Sequence, residues 1–216
     1  MDLYGFWRSS ATYRVRVALN WKGISFTEHP VNLEAGEQRA PEYLALNPMG
    51  GVPTLVGDDG RPLTQSLATL EYLEEVAPHP PLLPAEPYDR AWVRSIAGML
   101  ATDTHPLITP RVVRYLKQRH GFSPEDVRAW QTQWFQAGLA AVEDRLRRDG
   151  KSGVFCLHDQ ISIADICRLA RIAVTMKALG IPFPDLPMAR AIIAQCMALD
   201  AFARADPSLQ LGAPRG

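Results

Sequence analysis

The feature that most constrains this fold is a proline-dense segment in the first half of the chain. Residues 78–87, PHPPLLPAEP, include five prolines among ten residues. Because proline fixes φ and has no backbone N–H, neither a helix nor an interior strand can run through such a segment. We therefore predict a linker at 81–87 between a domain at 1–80 and a second at 88–216. A chain of 216 residues is long enough for two small domains, each with its own core.

The chain before the linker begins with a predicted strand, helix and strand. The first strand is Leu3–Phe6, the second is Phe26–Leu33, and Gly23 is expected to end the helix between them as its C′ residue. Short connections of this kind make the two strands parallel. The apolar stripe that predicts the helix consists of Ala11, Val15, Ala18 and Leu19.

A second helix, a hairpin and a third helix complete the first domain. We predict the second helix at Glu37–Leu46, and a hairpin in which a strand at Val52–Val56 turns at Asp58-Asp59-Gly60. Ser66 is expected to cap the third helix. The order β-α-β-α-β-β-α indicates a small mixed sheet flanked by helices, an α/β domain.

The chain after the linker is predicted to be all helical. An apolar stripe from Trp92 marks its first helix, and Pro187 lies near the start of its last. Between them, Thr109-Pro110, Ser123-Pro124 and Ser162 are typical helix starts. Five helices therefore follow one α/β domain.

Charge and targeting features exclude several partner classes. Lys plus Arg and Asp plus Glu both total 23, so the chain has no positive excess with which to hold nucleic acid or an anionic membrane. The start of the chain has no apolar core of a signal peptide, and no run approaches the roughly 18 apolar residues of a membrane span.

The five histidines show no metal-ligand spacing, so no metal is predicted. Three cysteines, expected to be buried thiols, favour a cytoplasmic location. They are Cys156, Cys167 and Cys196.

Three segments at predicted strand and helix ends carry candidate binding residues. Ser9 and Ser10 stand where the first helix begins, and hydroxyls together with free helical N–H groups can stabilise an anion. Gln65-Ser66 has the same character, while Val52-Pro53 could present its backbone to a ligand. The alternative for Ser9, Ser10 and Ser66 is that these hydroxyls only cap their helices.

Arg111 is a further candidate because it breaks a local rule. A cation in the first turn of a helix opposes the helix dipole and gains nothing locally. The alternative is an ordinary solvated arginine.

A set of short motifs runs along the chain in a fixed order. They are Arg8-Ser9-Ser10, Arg14–Leu19, Ala45-Leu46-Asn47-Pro48, Val52-Pro53-Thr54-Leu55, Gln65-Ser66-Leu67-Ala68, Leu73-Glu74-Glu75, Leu82-Leu83-Pro84 and Ile163-Ala164-Asp165. In their order and spacing these motifs resemble the zeta class of cytosolic glutathione transferases, which includes maleylacetoacetate and maleylpyruvate isomerases. The resemblance covers nearly the whole chain. It implies a thioredoxin-like N-terminal domain, an all-helical C-terminal domain, a homodimer and glutathione bound in the cleft between the domains.

The resemblance also implies roles for individual residues in glutathione binding. The Ser9 hydroxyl would donate to the glutathione sulfur with Ser10 close behind, and Val52 would pair with the cysteinyl backbone beside a cis Pro53. The other residues implied at the glutathione site are Gln65 and Ser66 at the γ-glutamyl end, Gln38 towards the glycyl end, and Asp103 and His105 in the helical stretch over the ligand, Asp103 towards the neighbouring subunit.

The activity implied by the resemblance is cis–trans isomerisation of maleylacetoacetate or maleylpyruvate in aromatic amino acid catabolism. The glutathione thiolate would add to the cis double bond, and elimination after rotation would give the trans diacid. Arg8 and Arg111, with Lys177 as a looser match, would hold the substrate carboxylates. The alternatives are a general glutathione transferase that conjugates electrophiles, or a non-catalytic binding protein.

One position departs from the family pattern. The usual Ser-Ser-Cys is here Ser9-Ser10-Ala11, which excludes thiol-transfer chemistry at this position. Isomerisation is less affected, because its nucleophile belongs to glutathione.

Overall fold

The computed structural model describes residues 1–168, 175–176 and 179–214. It divides into two compact units, the first formed by Met1–Leu82 with Ala198–Gly216 and the second by Leu83–Met197. The division falls within the segment predicted as a linker, and the last residues of the chain group with the first unit. None of the described helices is both long and apolar enough to cross a membrane.

The first unit begins with the predicted strand–helix–strand. Strand β1 (Asp2–Gly5) leads into helix α1 (Ser10–Trp21), and strand β2 (Thr27–Pro30) returns parallel to β1, as predicted. Strand β2 is shorter than the predicted Phe26–Leu33. The core of this unit contains fully buried side chains from β1, α1 and the elements that follow, among them Leu3, Val17, Leu55, Leu70 and Leu73.

Helix α1 ends at the predicted glycine. Gly23 has a φ of +66°, and the N–H of Ile24 donates to the carbonyl of Leu19 over 2.9 Å. The N–H of Gly23 donates to Asn20, which completes a Schellman motif. A side chain at residue 23 would be strained in this conformation, which confirms Gly23 as the C′ residue.

The helix predicted at Glu37–Leu46 is instead two short elements. A 3₁₀ turn covers Glu37–Arg39, and helix α2 covers Pro41–Leu46. Ala40 between them is extended, with φ −63° and ψ 142°. A residue before proline is biased away from helical geometry, so Pro41 ends the first element and starts the second.

A hairpin extends the sheet to four strands. Strands β3 (Thr54–Val56) and β4 (Pro62–Thr64) pair antiparallel across the predicted turn, and β3 also pairs antiparallel with β1. The sheet order is β2-β1-β3-β4, so the expected mixed sheet is confirmed. Helix α3 (Ser66–Val76) follows β4, and the short helix α9 (Asp200–Ala203) and a 3₁₀ turn at Pro207–Leu209 lie near the end of the chain.

The described part of the second unit is helical, as predicted. Helix α4 (Pro87–Gly98) continues into a π-helical segment at Met99–Thr104 and a 3₁₀ turn at His105–Ile108. The remaining helices are α5 (Pro110–His120), α6 (Pro124–Asp149), α7 (Ile163–Arg168) and α8 (Pro187–Met197). The last of these begins at the predicted proline.

The π-helical segment is held against α6. Thr104 is buried, and its hydroxyl donates to the carbonyl of Met99 over 2.9 Å. A Cβ atom at Gly138 would lie 2.0 Å from the Thr104 hydroxyl oxygen. Glycine at 138 therefore lets α6 approach the π-helical segment, which carries Asp103 and leads into the turn that begins at His105.

A buried carboxylate organises the start of α7. Asp165 is 2% exposed and accepts from the backbone N–H of Cys156 over 2.8 Å. It also accepts from both the backbone N–H and the hydroxyl of Ser162, over 2.9 and 2.8 Å. Helix α7 begins directly after Ser162, as predicted, and the serine hydroxyl donates to the carboxylate. All three cysteines are buried, as predicted.

Candidate functional site

Three segments with candidate residues leave the sheet at the same edge. Tyr4 in β1 pairs with Thr54 in β3, and Thr54 pairs with Thr64 in β4. Just beyond this row of three residues lie the loop after β1, the Val52-Pro53 stretch before β3, and the start of α3 after β4. The topology therefore brings Ser9, Val52 and Ser66 to one edge of the first unit.

Ser9 caps helix α1 and still has a proton to donate. Its Oγ accepts from the backbone N–H of Thr12 over 3.2 Å, so the capping interpretation is confirmed. A hydroxyl has two lone pairs and one donor, and the cap uses only a lone pair. The N–H groups of Ser10 and Ala11 have no hydrogen-bond partner among the described residues. There is no acidic residue in the first turn of α1. A hydroxyl donor and an uncompensated helix N-terminus therefore face the same space.

Buried Arg16 fixes the loop that carries Ser9. Its guanidinium donates to the carbonyls of Trp7 and Phe6 over 3.2 and 3.4 Å. It also forms a salt bridge with Glu28 on β2, and the Arg16 side chain is 1% exposed. A charged donor bonded to two successive carbonyls restrains the backbone just before Arg8 and Ser9.

Val52 offers an unpaired stretch of backbone. The Val52–Pro53 peptide is cis, as the resemblance implied. Neither the N–H nor the carbonyl of Val52 has a hydrogen-bond partner among the described residues. One donor and one acceptor on the same residue can pair with an extended peptide as a neighbouring strand would.

The start of α3 is polar and conformationally strained. Gln65 has a φ of 69°, a conformation that costs a non-glycine residue on the order of 1–3 kcal/mol and is found most often at functional sites. Helix α3 starts at Ser66, and Gln65 is its N-cap residue without a side-chain capping bond. The prediction that Ser66 caps α3 is wrong, because its hydroxyl accepts instead from the buried guanidinium of Arg14 over 3.1 Å.

The first turn of α3 is therefore open to an anion. The N–H groups of residues 66–68 have no partner among the described residues, and the turn contains no acidic residue. Arg14 adds a buried positive charge beside Ser66. These features favour a carboxylate ligand at this helix start.

Gln38 lies beside the loop that precedes Val52. It is 8% exposed, and its side-chain carbonyl oxygen is buried with no partner among the described residues. A Cβ atom at Gly50 would lie 2.9 Å from the Gln38 backbone oxygen. Gln38 thus contacts the same loop and has an unsatisfied acceptor, which favours a ligand that donates a hydrogen bond.

Arg8 lies on the exposed side of the loop. Its guanidinium forms an ion pair with Glu34 and lies 5.6 and 5.8 Å from the ring centroids of Phe6 and Trp7. Both partners of the ion pair are more than half exposed. Exposed pairs contribute about 0–1 kcal/mol, so a ligand carboxylate can replace Glu34 at little cost.

The remaining candidates belong to the second unit. Asp103 is exposed in the π-helical segment and His105 is half-buried at the start of the 3₁₀ turn. Arg111 is exposed in the first turn of α5 and forms no ion pair within the described part of the chain. Lys177 lies outside the described residues.

Arg14 is the site residue that the sequence analysis did not identify as functional. It is three residues after Ala11 and four before Ala18, and therefore lies on the apolar stripe of α1. A charged residue on a buried helix face needs hydrogen-bond partners, and the Ser66 hydroxyl is one of them. This position on the stripe was the signal that could have revealed it.

Comparison with known proteins finds relatives that are similar over the full length of this chain. The family model described as glutathione S-transferase, N-terminal domain, matches residues 8–76. A maleylacetoacetate isomerase of Pseudomonas aeruginosa is 39% identical over 216 residues, 99% of each chain.

Two solved structures are similar throughout. A maleylacetoacetate isomerase of Methylobacterium extorquens AM1 with bound malonate and glutathione has a TM-score of 0.96 and 46% identity, covering 100% of both chains. A maleylpyruvate isomerase described as a bacterial zeta-class glutathione transferase has a TM-score of 0.94 and 36% identity, covering 99% of this chain and 100% of the other. The edge of the sheet that gathers Ser9, Val52 and Ser66 therefore lies in a chain that belongs to the zeta-class glutathione transferases, the family of the maleylacetoacetate and maleylpyruvate isomerases.

Proposed function

We propose that this protein is a glutathione-dependent cis–trans isomerase of maleylacetoacetate or maleylpyruvate. The observation that carries the proposal is a relative, 46% identical over the whole chain, with both glutathione and the dicarboxylate malonate bound. Relatives named for both isomerase activities span nearly the full length of this chain.

The residues of the first unit fit glutathione. The unpaired N–H and carbonyl of Val52 suit the backbone of its cysteinyl residue. The start of α3, with Gln65, Ser66 and the charge of Arg14, suits the γ-glutamyl carboxylate. The Gln38 side-chain carbonyl can accept from the backbone N–H of the glycyl residue. Ser9 has a proton for the sulfur, with Ser10 beside it.

Ser9 is proposed to keep the ligand sulfur ionised. When bound, glutathione supplies a thiolate that adds reversibly to the substrate double bond. A free thiol has a pKa of about 8.5, so only a few per cent is ionised at pH 7. A hydrogen bond to a charged group contributes about 1.5–3 kcal/mol and a helix N-terminus about 0.3–1 kcal/mol. Together the Ser9 hydroxyl and the first turn of α1 can lower this pKa by about two pH units, which requires roughly 2.7 kcal/mol.

Arginines are proposed to hold the diacid. Addition of a thiolate builds negative charge on the substrate, and nearby cations stabilise that charge as it develops. Arg111 has no competing carboxylate among the described residues, and Arg8 can exchange Glu34 for a substrate carboxylate. Lys177 is proposed as a further contributor, and Asp103 and His105 as contacts to glutathione.

The decisive experiment follows the absorbance of maleylpyruvate and maleylacetoacetate with and without glutathione. We expect isomerisation of at least one diacid only when glutathione is present. An equal rate without glutathione would contradict the proposal. Conjugation of a chloronitrobenzene with no turnover of either diacid would identify a general transferase, and failure to bind glutathione at millimolar concentration would identify a protein with another ligand.

Replacing Arg111 with alanine is expected to raise KM for the diacid about 10- to 100-fold, because a charge-assisted hydrogen bond to a carboxylate is lost. KM for glutathione should change less than twofold. Steady-state kinetics with each substrate varied in turn measures both constants. Arg114→Ala, also on α5, is the matched control and should resemble the unaltered protein.

An equal rise in both KM values for the Arg111 variant would contradict a specific role in diacid binding. The same holds if Arg114→Ala and Arg111→Ala behave alike, since this would indicate a general effect of charge on α5.

We also propose a homodimer located in the cytoplasm. The first unit contains 8 Lys and Arg against 12 Asp and Glu, and the second contains 15 against 11. Opposite net charges on the two units support pairing of two copies in opposite orientation. Sedimentation analysis at increasing salt tests the dimer.

Buried thiols in place of disulfides support a reducing compartment such as the cytoplasm.

A further inference from the structure

Two buried side chains lie beneath the loop that precedes Val52 and have no assigned role in the proposed function. Tyr43 on α2 and Asn47 just after α2 are 6% and 5% exposed. The Tyr43 hydroxyl donates to the carbonyl of Gly51 over 2.5 Å, and the Asn47 side-chain amide donates to the same carbonyl over 2.8 Å. Both lone pairs of that carbonyl are therefore engaged, directly before the residue with the unpaired backbone.

Thr54 closes this hydrogen-bond network on the other side of the loop. Its hydroxyl is 3.0 Å from the Tyr43 oxygen and 3.3 Å from the Asn47 amide nitrogen. The single Tyr43 proton is used on Gly51, so the Thr54 hydroxyl donates to Tyr43 and accepts from Asn47. Each polar group of the network is satisfied, which fixes its geometry.

The loop needs this restraint because of its sequence. Gly50 and Gly51 precede Val52, and glycine has more backbone conformations to lose on ordering than any other residue. Gly50 has a φ of +57°. Without a bond to the Gly51 carbonyl, the peptide plane before Val52 is free to rotate, and the Val52 N–H belongs to that plane.

We propose that Tyr43 and Asn47 are positioning residues for glutathione, holding the Gly51 carbonyl so that the Val52 N–H and carbonyl keep the orientation that pairs with the cysteinyl backbone. This inference rests on the proposed function. Burial raises the pKa of Tyr43 above its ordinary value, so the phenol keeps its proton throughout the neutral pH range. Preorganised binding groups pay less ordering cost when the ligand binds.

The test measures glutathione affinity by calorimetry and the kinetic constants for the diacid in Tyr43→Phe and Asn47→Ala. Each variant is expected to raise the glutathione Kd about three- to tenfold, the effect of one lost hydrogen bond. At saturating glutathione, kcat should stay within about twofold of the unaltered value, because the thiolate and the diacid contacts remain. Tyr72→Phe, the same change on α3, is the control and should leave Kd unchanged.

Several outcomes separate this inference from the proposed function. If the unaltered protein binds no glutathione, the proposed function fails. If it binds and both variants bind equally well, the positioning role is refuted, whatever happens to their melting temperatures. A fall in kcat with Kd unchanged also refutes it. If one variant does not fold, the other decides by the same two constants.

Discussion

Replacing Ser9 with alanine is expected to raise the pKa of the bound glutathione thiol by about one to two pH units, since the lost hydrogen bond to a thiolate contributes about 1.5–3 kcal/mol. The thiolate fraction at pH 7, and kcat/KM with it, should fall about 3- to 25-fold, because a thiol with a pKa near 6.5 is mostly ionised at pH 7 and one with a pKa of about 7.5–8.5 is not. The first turn of α1 remains in the variant and still lowers the pKa of the bound thiol in part. A pH titration of the ultraviolet thiolate absorbance in the complex measures the pKa directly.

Two variants separate the donor role of Ser9 from its capping role. Ser9→Thr retains a hydroxyl that can both cap and donate, so it should preserve most of the activity. Ser9→Asp also caps the helix but has no proton to donate and adds a negative charge beside the sulfur. In this variant the bound glutathione thiol should therefore titrate at a higher pH than in Ser9→Ala, while the protein should melt at a higher temperature. If the alanine variant loses only melting temperature and its thiol titrates as before, Ser9 is a cap and the proposed activation is wrong.

Local rules predicted the scaffold of the first unit well. Parallel β1 and β2, the hairpin between β3 and β4 and the end of α1 at Gly23 each depend on a few neighbouring residues. For these elements the chain has few alternatives, because a positive φ or a tight turn admits few residue types.

Where tertiary contacts decide, local rules failed. Ser66 has the sequence context of a helix cap, but buried Arg14, 52 residues away in the chain, takes its hydroxyl as an acceptor. The strained backbone of Gln65 has no local signal either, since nothing in its neighbours requires a positive φ. Pro41 is a local signal for the break between the 3₁₀ turn and α2, whereas the apolar pattern around it favours one continuous helix.

The unpaired backbone of Val52 illustrates the same limit in another way. Whether a backbone N–H or carbonyl is left without a partner depends on the arrangement of the whole sheet edge and not on the residue type. Tyr43 and Asn47 likewise approach Gly51 only because α2 is short and ends just before the loop. The resemblance implied that Val52 pairs with a peptide backbone, and the N–H and carbonyl of Val52 have no partner among the described residues.

Replacing Asp165 with alanine is expected to have the largest effect on stability, a loss of about 3 kcal/mol or more in the free energy of unfolding. The change leaves the buried N–H groups of Cys156 and Ser162 without an acceptor, at about 1–3 kcal/mol each. A loss of about 3 kcal/mol should lower the melting temperature by roughly 6–12 °C. Urea unfolding monitored by circular dichroism measures it.

Graded variants test whether the buried acceptor is the cause. Asp165→Asn keeps one of the two oxygens and should lose less stability than the alanine variant. Asp126→Ala removes the corresponding carboxylate from the exposed capping box of α6 and should have the smallest effect. Hydrogen bonds from Ser123 lower the pKa of the Asp126 carboxyl below its ordinary value. Its contribution to stability is therefore fully present at neutral pH and is lost in acid, as the pH falls through the lowered pKa. If Asp126→Ala proves as damaging at pH 7 as Asp165→Ala, burial of the acceptor is not what makes Asp165 important.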